Sequence, residues 1–331
     1  MNILSLFDGI SCGRIALDRA NIKINKYYAS EINKYAIKVS QNNYSDIIRL
    51  GDINNWHTWD IDWLSIDLIL AGSPCQGFSF TGKQLAFNDS QSALFFQFAK
   101  ILKHVKSLNP NIKFLLENVR MRKEFENIIT FVVGVKPITM NSSLVSAQNR
   151  VRLYWVNWRF SYPKNKQRYL KDIIETELSQ YHNIKYGTYD QITIKCKTPL
   201  SQTNVSDRMM KILTQSSSSS IKLDNKQNMG INVIGIANDT NNRTQYKRVY
   251  STTGKSPTIT TASGGGHCPK IAINHHDYRD MLAIEAERCQ TLPDNYTQSI
   301  STTQRFNVIG NGWTVDIIAH ILSGLNELND T

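Results

Sequence analysis

The sequence predicts an α/β fold, a largely parallel sheet with helices on both faces, joined to a smaller, loop-rich second region. Three observations carry this expectation. Short apolar runs alternate with amphipathic stretches across residues 1–160, the rhythm of parallel strands linked by helical crossovers. That rhythm is lost over 161–275, where Asn, Ser, Thr and Lys dominate and Ser216–Ser220 form an unbroken serine run. A helical pattern then returns near residue 277.

Taken in order, Ile3–Phe7 reads as a buried strand and not as a secretion leader, because the run is short and no basic segment precedes it. Cys12–Ala20 has helical periodicity, Lys26–Ser30 reads as a second strand and Asn33–Asn42 as a second helix. Leu68–Ala71 is a strand running into the turn-rich GSPCQG, Ser92–Ser107 a helix, and Lys113–Glu117 and Val151–Val156 are further strands. In the middle region the serine run reads as a flexible loop and the remainder as short strands and loops. Beyond it the pattern is helical through Gln290, breaks at Pro293, and closes with an amphipathic helix from Thr314 to Leu325. The expected division is 1–160, 161–275 and 276–331, without internal repeats.

With 41% hydrophobic and 20% charged residues, the chain can bury a core and does not have the composition of a disordered one. It lacks the ~18 unbroken apolar residues of a membrane span. Cys12, Cys75, Cys196, Cys268 and Cys289 are odd in number and scattered, which argues against a disulfide framework and for a reducing, cytoplasmic setting. The net charge of +11 is unevenly spread. Residues 161–275 hold 16 basic and 7 acidic side chains, whereas the two outer segments together hold 22 and 20. A basic segment set between near-neutral ones suggests a polyanion-binding surface.

Ligands of parallel sheets bind outside the carboxyl ends of the strands, where Asp8, Glu31, Pro74–Cys75 and Glu117 fall, and four constellations carry the chemistry. FDGISCG (7–13) is a Gly-containing turn that lets backbone approach a ligand at a helix start. Glu31, ending the second strand, suits a ribose diol, and Asp52 in GDI suits an adenine amino group. Singly, each of these carboxylates is as easily a surface residue; in sequence they outline a nucleoside site. GSPCQGFSF (72–80) puts Cys75 on a tight turn, where a thiolate would be a nucleophile. LLENV (115–119) ends an apolar strand in Glu117, and partial burial there favours a protonated, donating carboxyl. AQNRVRLYWV (147–156) places Arg150 and Arg152 on one face of a strand, suited to phosphate or carbonyl recognition. His267, Cys268, His275 and His276 lack the spacing of a zinc site, and no metal is expected.

In this order the motifs resemble the C5-cytosine DNA methyltransferase family. FDGISCG is similar to its first motif, Glu31 and GDI to the next two, PCQ to its catalytic loop and ENV to its glutamate motif, while Gln148, Arg150 and Arg152 fit QxRxR. RDMLAIEAERCQTLPDNY (279–296) and GNGWTV (310–315) resemble the two late motifs. The chain departs from the family at Ser11 and Cys12, usually paired glycines, at Leu282 and Leu292, and in the extra residues between Asn311 and Val315.

The resemblance implies a Rossmann-like sheet that binds S-adenosylmethionine, releasing S-adenosylhomocysteine, and a target-recognition domain over the basic 161–275. It implies a catalytic set of Cys75, Glu117, Arg150 and Arg152. The implied cofactor residues are Phe7, Asp8, Gly9, Ile10, Glu31, Ile32, Asp52, Ile53, Pro74, Asn311 and Val315. The expected contacts to double-stranded DNA are Gln76, Ser79, Gln148, Lys247, Arg248, Gly264 and Gly265. The expected enzyme is a monomer, with a cognate restriction endonuclease as a compatible partner. The competing readings are an RNA cytosine methyltransferase and an inactive DNA-binding protein on the same scaffold.

Overall fold

The computed structural model describes residues 1–74, 94–181, 184–192, 230–238, 246–261 and 268–327. Its sheet contains β1 (Asn2–Leu6), β2 (Lys26–Ser30), β3 (Ile48–Arg49), β4 (Leu68–Ala71), β5 (Lys113–Val119), β6 (Ile138–Asn141) and β7 (Val151–Val156). They lie in the order β3-β2-β1-β4-β5-β7-β6, with the first five parallel and β7 antiparallel to both neighbours. The α/β class read from the sequence is what forms.

Alternate strand residues serve two cores, as a period of two requires. Ile3, Leu68, Leu70 and Leu115 face one cluster, with Ile15, Ala16 and Leu17 of α1 (Cys12–Arg19). Leu4, Leu6, Ile69, Phe114 and Leu116 face the other, with Phe95, Phe98 and Ile101 of α3 (Leu94–Leu108). Because helices cover both faces, the central strand β4 is apolar throughout and its neighbours β1 and β5 carry mostly apolar residues on both faces. Between them in sequence, α2 (Lys34–Asn43) starts at Asn33, whose side chain accepts from the N–H groups of Tyr35 and Ala36. α4 (Lys123–Val133) ends at Gly134 in the left-handed conformation, φ +84°.

The late helices are α5 (Ala283–Cys289), α6 (Thr302–Asn311) and α7 (Val315–Glu327). α7 packs on α1, and Arg19 pairs with Asp316 at 2.7 Å. The stretch Thr302–Asn326 has the length and apolarity of a membrane span, yet 78% of its most apolar window is buried inside the fold, as in a core helix. Strands β3 and β6 and helices α4 and α6 add to the elements read from the sequence. β3 has only two residues and β6 is ITMN, too short and too mixed for a clear apolar period.

The second region closes a five-stranded barrel from β8 (Tyr186–Gln191), β9 (Val233–Ala237), β10 (Arg248–Tyr250), β11 (Lys270–Ala272) and β12 (Asp277–Asp280). Its interior is small, built on Tyr189, Ala237, Val249 and Tyr278. Two glycines accept the tyrosine rings: a Cβ on Gly187 would meet Tyr278 at 2.6 Å, and one on Gly235 would meet Tyr189 at 2.0 Å. The helical pattern expected from residue 277 is corrected here. Residues 277–280 are strand, paired with β8 and β11 through backbone that their polar side chains do not advertise. Arg279, at the strand's end, forms a buried ion pair with Glu285 of α5 at 2.5 Å, which joins barrel to helix.

Candidate active site

The carboxyl ends of β1, β2, β4 and β5 surround a cavity of about 460 Å³, within the usual range for small-molecule sites. Phe7, Gly9, Glu31, Ile32, Asp52, Ile53, Pro74, Asn311, Glu117, Arg150 and Arg152 line it. Ser30, Asn33 and Val308 also line it and were missed by sequence reasoning, while Gly72, Ser73, Asn118 and Gly310, which line it too, fall within the quoted motifs but were not expected as site residues. Most of these flank a motif residue at a strand end, and that position was the available signal.

The first turn is held by its own polar groups. Phe7, Gly9 and Ser11 all have positive φ, at 58°, 59° and 61°, a cost that only Gly avoids. Asp8 offsets it by accepting hydroxyl hydrogen bonds from Ser5 (2.6 Å), Tyr27 (2.7 Å) and Ser11 (2.5 Å). Burial pushes the Asp8 carboxyl upward, while those hydroxyls pull it down. Asp8 and Ile10 are therefore turn-building residues and do not line the cavity. The Ile10 side chain is in the core and its carbonyl accepts from Tyr296. At Gly9 nothing lies within 4 Å of where a Cβ would stand, so bare backbone faces the cavity.

Glu31 accepts from Gly9 N, Ile32 N and Asn33 N, each at 2.8 Å, which locks the first two motifs together. Asp52 caps the 3₁₀ turn Ile53–Thr58 by accepting from Asn54 N at 2.9 Å through Oδ1. Between these carboxylates Ile53 is buried while Ile32 is 70% exposed, an apolar side chain left open at the rim. Two carboxylates, apolar walls and a bare backbone turn suit a nucleoside: diol and amino hydrogens for the acids, a flat base for the isoleucines.

In the wall of the cavity, Glu117 is 9% exposed. Arg152 Nε lies 3.0 Å from its Oε1, and the Trp313 indole N–H donates to its Oε2 at 3.1 Å. Asn118, next in the chain, donates to Ser73 Oγ at 3.1 Å and so ties the end of β5 to the turn after β4. Pro74 lines the cavity; Cys75, Gln76 and Ser79 lie outside the described residues, as do Gly264 and Gly265.

Three expected site residues take structural places instead. Arg150 is buried, donating to the carbonyls of Ile259 (3.1 Å), Gly310 (3.1 Å) and Gly312 (3.0 Å). It touches the cavity, but its guanidinium clamps the late segments together. Gln148 is corrected more sharply. It is 0% exposed, with its amide nitrogen on Cys289 O and Gln290 Oε1 and its oxygen accepting from Ile259 N. A buried amide so satisfied has no face for a duplex. Val315 is likewise buried at the start of α7 and does not line the cavity. In the barrel, Lys247 and Arg248 are half-buried at the start of β10. Among the described residues no cluster of His, Cys, Asp and Glu is arranged to hold a metal ion.

The chain matches the profile of the C-5 cytosine-specific DNA methylases over residues 1–327. It is 24% identical to the type II methyltransferase M.HhaI of Haemophilus parahaemolyticus, covering 97% of this chain and 93% of that one. It is 32% identical to M.NgoBV of Neisseria gonorrhoeae over 51% of this chain, a match spanning only 40% of that relative's length. The orphan methyltransferase M.SPRI of Bacillus phage SPR is 26% identical over 93% of this chain and 74% of its own. Among solved structures, a DNA modification methyltransferase encoded within an E. coli prophage superposes with a TM-score of 0.62 at 19% identity, covering 100% of both chains. The S. pombe Dnmt2 methyltransferase superposes at 0.61 and 16%, covering 99% of each. The chain belongs to the C-5 cytosine-specific DNA methylase family, whose members are S-adenosylmethionine-dependent DNA methyltransferases.

Proposed function

We propose that this protein methylates C5 of a flipped-out cytosine within a specific duplex DNA site, through a covalent adduct between Cys75 and C6. The observation that carries the reading is Glu117, held by two donors in the wall of a cavity that also presents the acids and apolar walls of a nucleoside site. Glu31 would hold the ribose of S-adenosylmethionine, Asp52 its adenine amino group, and Phe7, Ile32 and Ile53 the ring. Bound there, the cofactor supplies an electrophilic methyl group.

The target base must leave the stack, at a cost of a few kcal/mol, because its ring carbons are inaccessible in a duplex. Glu117 would contact N3 and support its protonation, and Arg152 would take the O2 carbonyl. As the Cys75 thiolate bonds to C6, electron density moves to C5, which takes the methyl. Loss of the C5 proton to a base then expels the thiolate and restores the aromatic ring. Arg150 contributes by fixing the strand and the late segments around the site. The basic 161–275 region would read the DNA, with Lys247 and Arg248 among its phosphate or base contacts.

The relatives include type II enzymes and an orphan phage enzyme, so a partner endonuclease is not part of the reading. Bisulfite sequencing of DNA from cells expressing the chain tests activity and site together. Protected cytosines in one sequence context are expected; uniform conversion overturns the reading.

A further inference from the structure

The two motif departures that stood apart in the sequence, Ser11-Cys12 and the insertion around Trp313, meet in the fold. A Cβ on Gly312, the residue before Trp313, would stand 3.3 Å from Cys12 Sγ. The indole lies on two glycines. A Cβ on Gly72, at the end of β4, would meet Trp313 Nε1 at 2.8 Å, and one on Gly13, in α1, would meet its ring at 3.5 Å. The ring therefore packs closely on the turn that leads to Cys75, where no side chain longer than glycine fits, and reaches the first helix. From this seat the indole N–H reaches Glu117 Oε2 at 3.1 Å, while Arg152 occupies Oε1. Trp313 is not among the cavity-lining residues; it stands behind Glu117.

We propose that Trp313 is a positioning residue for methyl transfer: wedged between Gly72 and Gly13, its indole N–H fixes the rotamer of the Glu117 carboxylate so that Arg152 and the target base meet it in one geometry. This rests on the reading of Glu117 given above. One donor of two sets only a distance, whereas donors on both oxygens set the carboxylate plane. A carboxylate free to rotate would still bind the base but would seldom hold it aligned for attack.

The test replaces Trp313 in the full-length chain by benzothienylalanine, which keeps the ring shape and removes the N–H, with Trp313→Phe as a second variant. Single-turnover methyl transfer, S-adenosylmethionine affinity, duplex affinity and melting temperature are measured for each, alone and combined with Glu117→Ala. For the isostere, a hydrogen bond to a charged group predicts a methyl-transfer rate lower by roughly tenfold to a hundredfold, with both affinities and the melting temperature unchanged. In the Glu117→Ala background the same substitution is expected to cost nothing further, because the acceptor is gone. An isostere at wild-type rate overturns the proposal. So does an equal loss in both backgrounds, which would mean general packing. A Glu117→Ala single variant at wild-type rate overturns the reading of Glu117 itself, and is seen before Trp313 is changed.

Discussion

The sheet and the barrel solve different problems with different means. At the carboxyl ends of the sheet strands, several polar groups are tied to elements far away in sequence. Gly9 donates to Glu31, Asn118 to Ser73, Trp313 to Glu117 and Arg150 to Gly312. The barrel has a core of four buried residues and seats two tyrosines on glycines, while residues 161–275, which supply four of its five strands, carry the excess of basic charge. The sheet holds groups in fixed geometry, as chemistry needs. The basic segment 161–275 fits the proposed recognition of a polyanion.

This contrast is sharpest if chemistry and recognition can be removed separately. Cys75→Ser has the largest expected effect: loss of methyl transfer, because a hydroxyl is far less ionised than a thiol, with cofactor and duplex affinity retained. Wild type is expected to be trapped covalently by a duplex bearing 5-fluorocytosine at the target, since fluorine does not leave as a proton does. Turnover by the serine variant, followed with labelled methyl groups, would remove the nucleophile assignment.

Arg152→Ala comes next. Its pair with Glu117 is mostly shielded from solvent, at 13% and 11% side-chain exposure. Opening a buried pair costs about 3 kcal/mol of folding stability, so a lower melting temperature is expected together with slower methyl transfer from the lost base contact. Arg152→Lys restores the charge but not the planar fork, and is expected to recover only part of the loss. Full recovery would make the contact a simple matter of charge.

In the cofactor half, Glu31→Ala is expected to weaken S-adenosylmethionine binding by about 1.5–3 kcal/mol. Because Glu31 also gathers three backbone N–H groups, some of that loss is expected as a less ordered turn. Asp52→Asn keeps an acceptor for the cap and is expected to cost less. Titration calorimetry that finds both unchanged would leave the acids without their proposed role.

The smallest effect belongs to the barrel. Replacing Lys247 and Arg248 by Ala is expected to weaken duplex binding and flatten its salt dependence, because fewer counterions are released. Cofactor affinity is expected to stay unchanged. If one of the pair reads a guanine edge, the loss concentrates on the target site, by about 1–3 kcal/mol. A salt titration on target and non-target duplexes separates these outcomes. A wild type insensitive to salt would break the comparison drawn between the two regions.

The α/β class, the strands at Ile3–Phe7, Lys26–Ser30 and Leu68–Ala71 and the polar residues at strand ends were legible in the sequence. A strand buried on both faces shows as an unbroken apolar run, and a carboxylate or arginine at its end interrupts that run. The barrel was not legible. Its strands are three to six residues long, and β8 pairs with β9 and β12 across tens of residues, so no local period marks them. β12, as DYRD, carries polar side chains on a backbone committed to two ladders.

The sequence by itself determined which chemical groups stand at the sheet's active end, because composition and turn residues are local properties. Only the tertiary structure decided how those groups are shared. It sent Gln148 and Arg150 into the interior to brace the late segments, although both share the motif that contains Arg152. It brought Gly72 and Glu117 to one tryptophan near the other end of the chain. Such contacts depend on which strand ends lie side by side, and that is settled by burying two apolar faces at once, a condition no single segment of sequence contains.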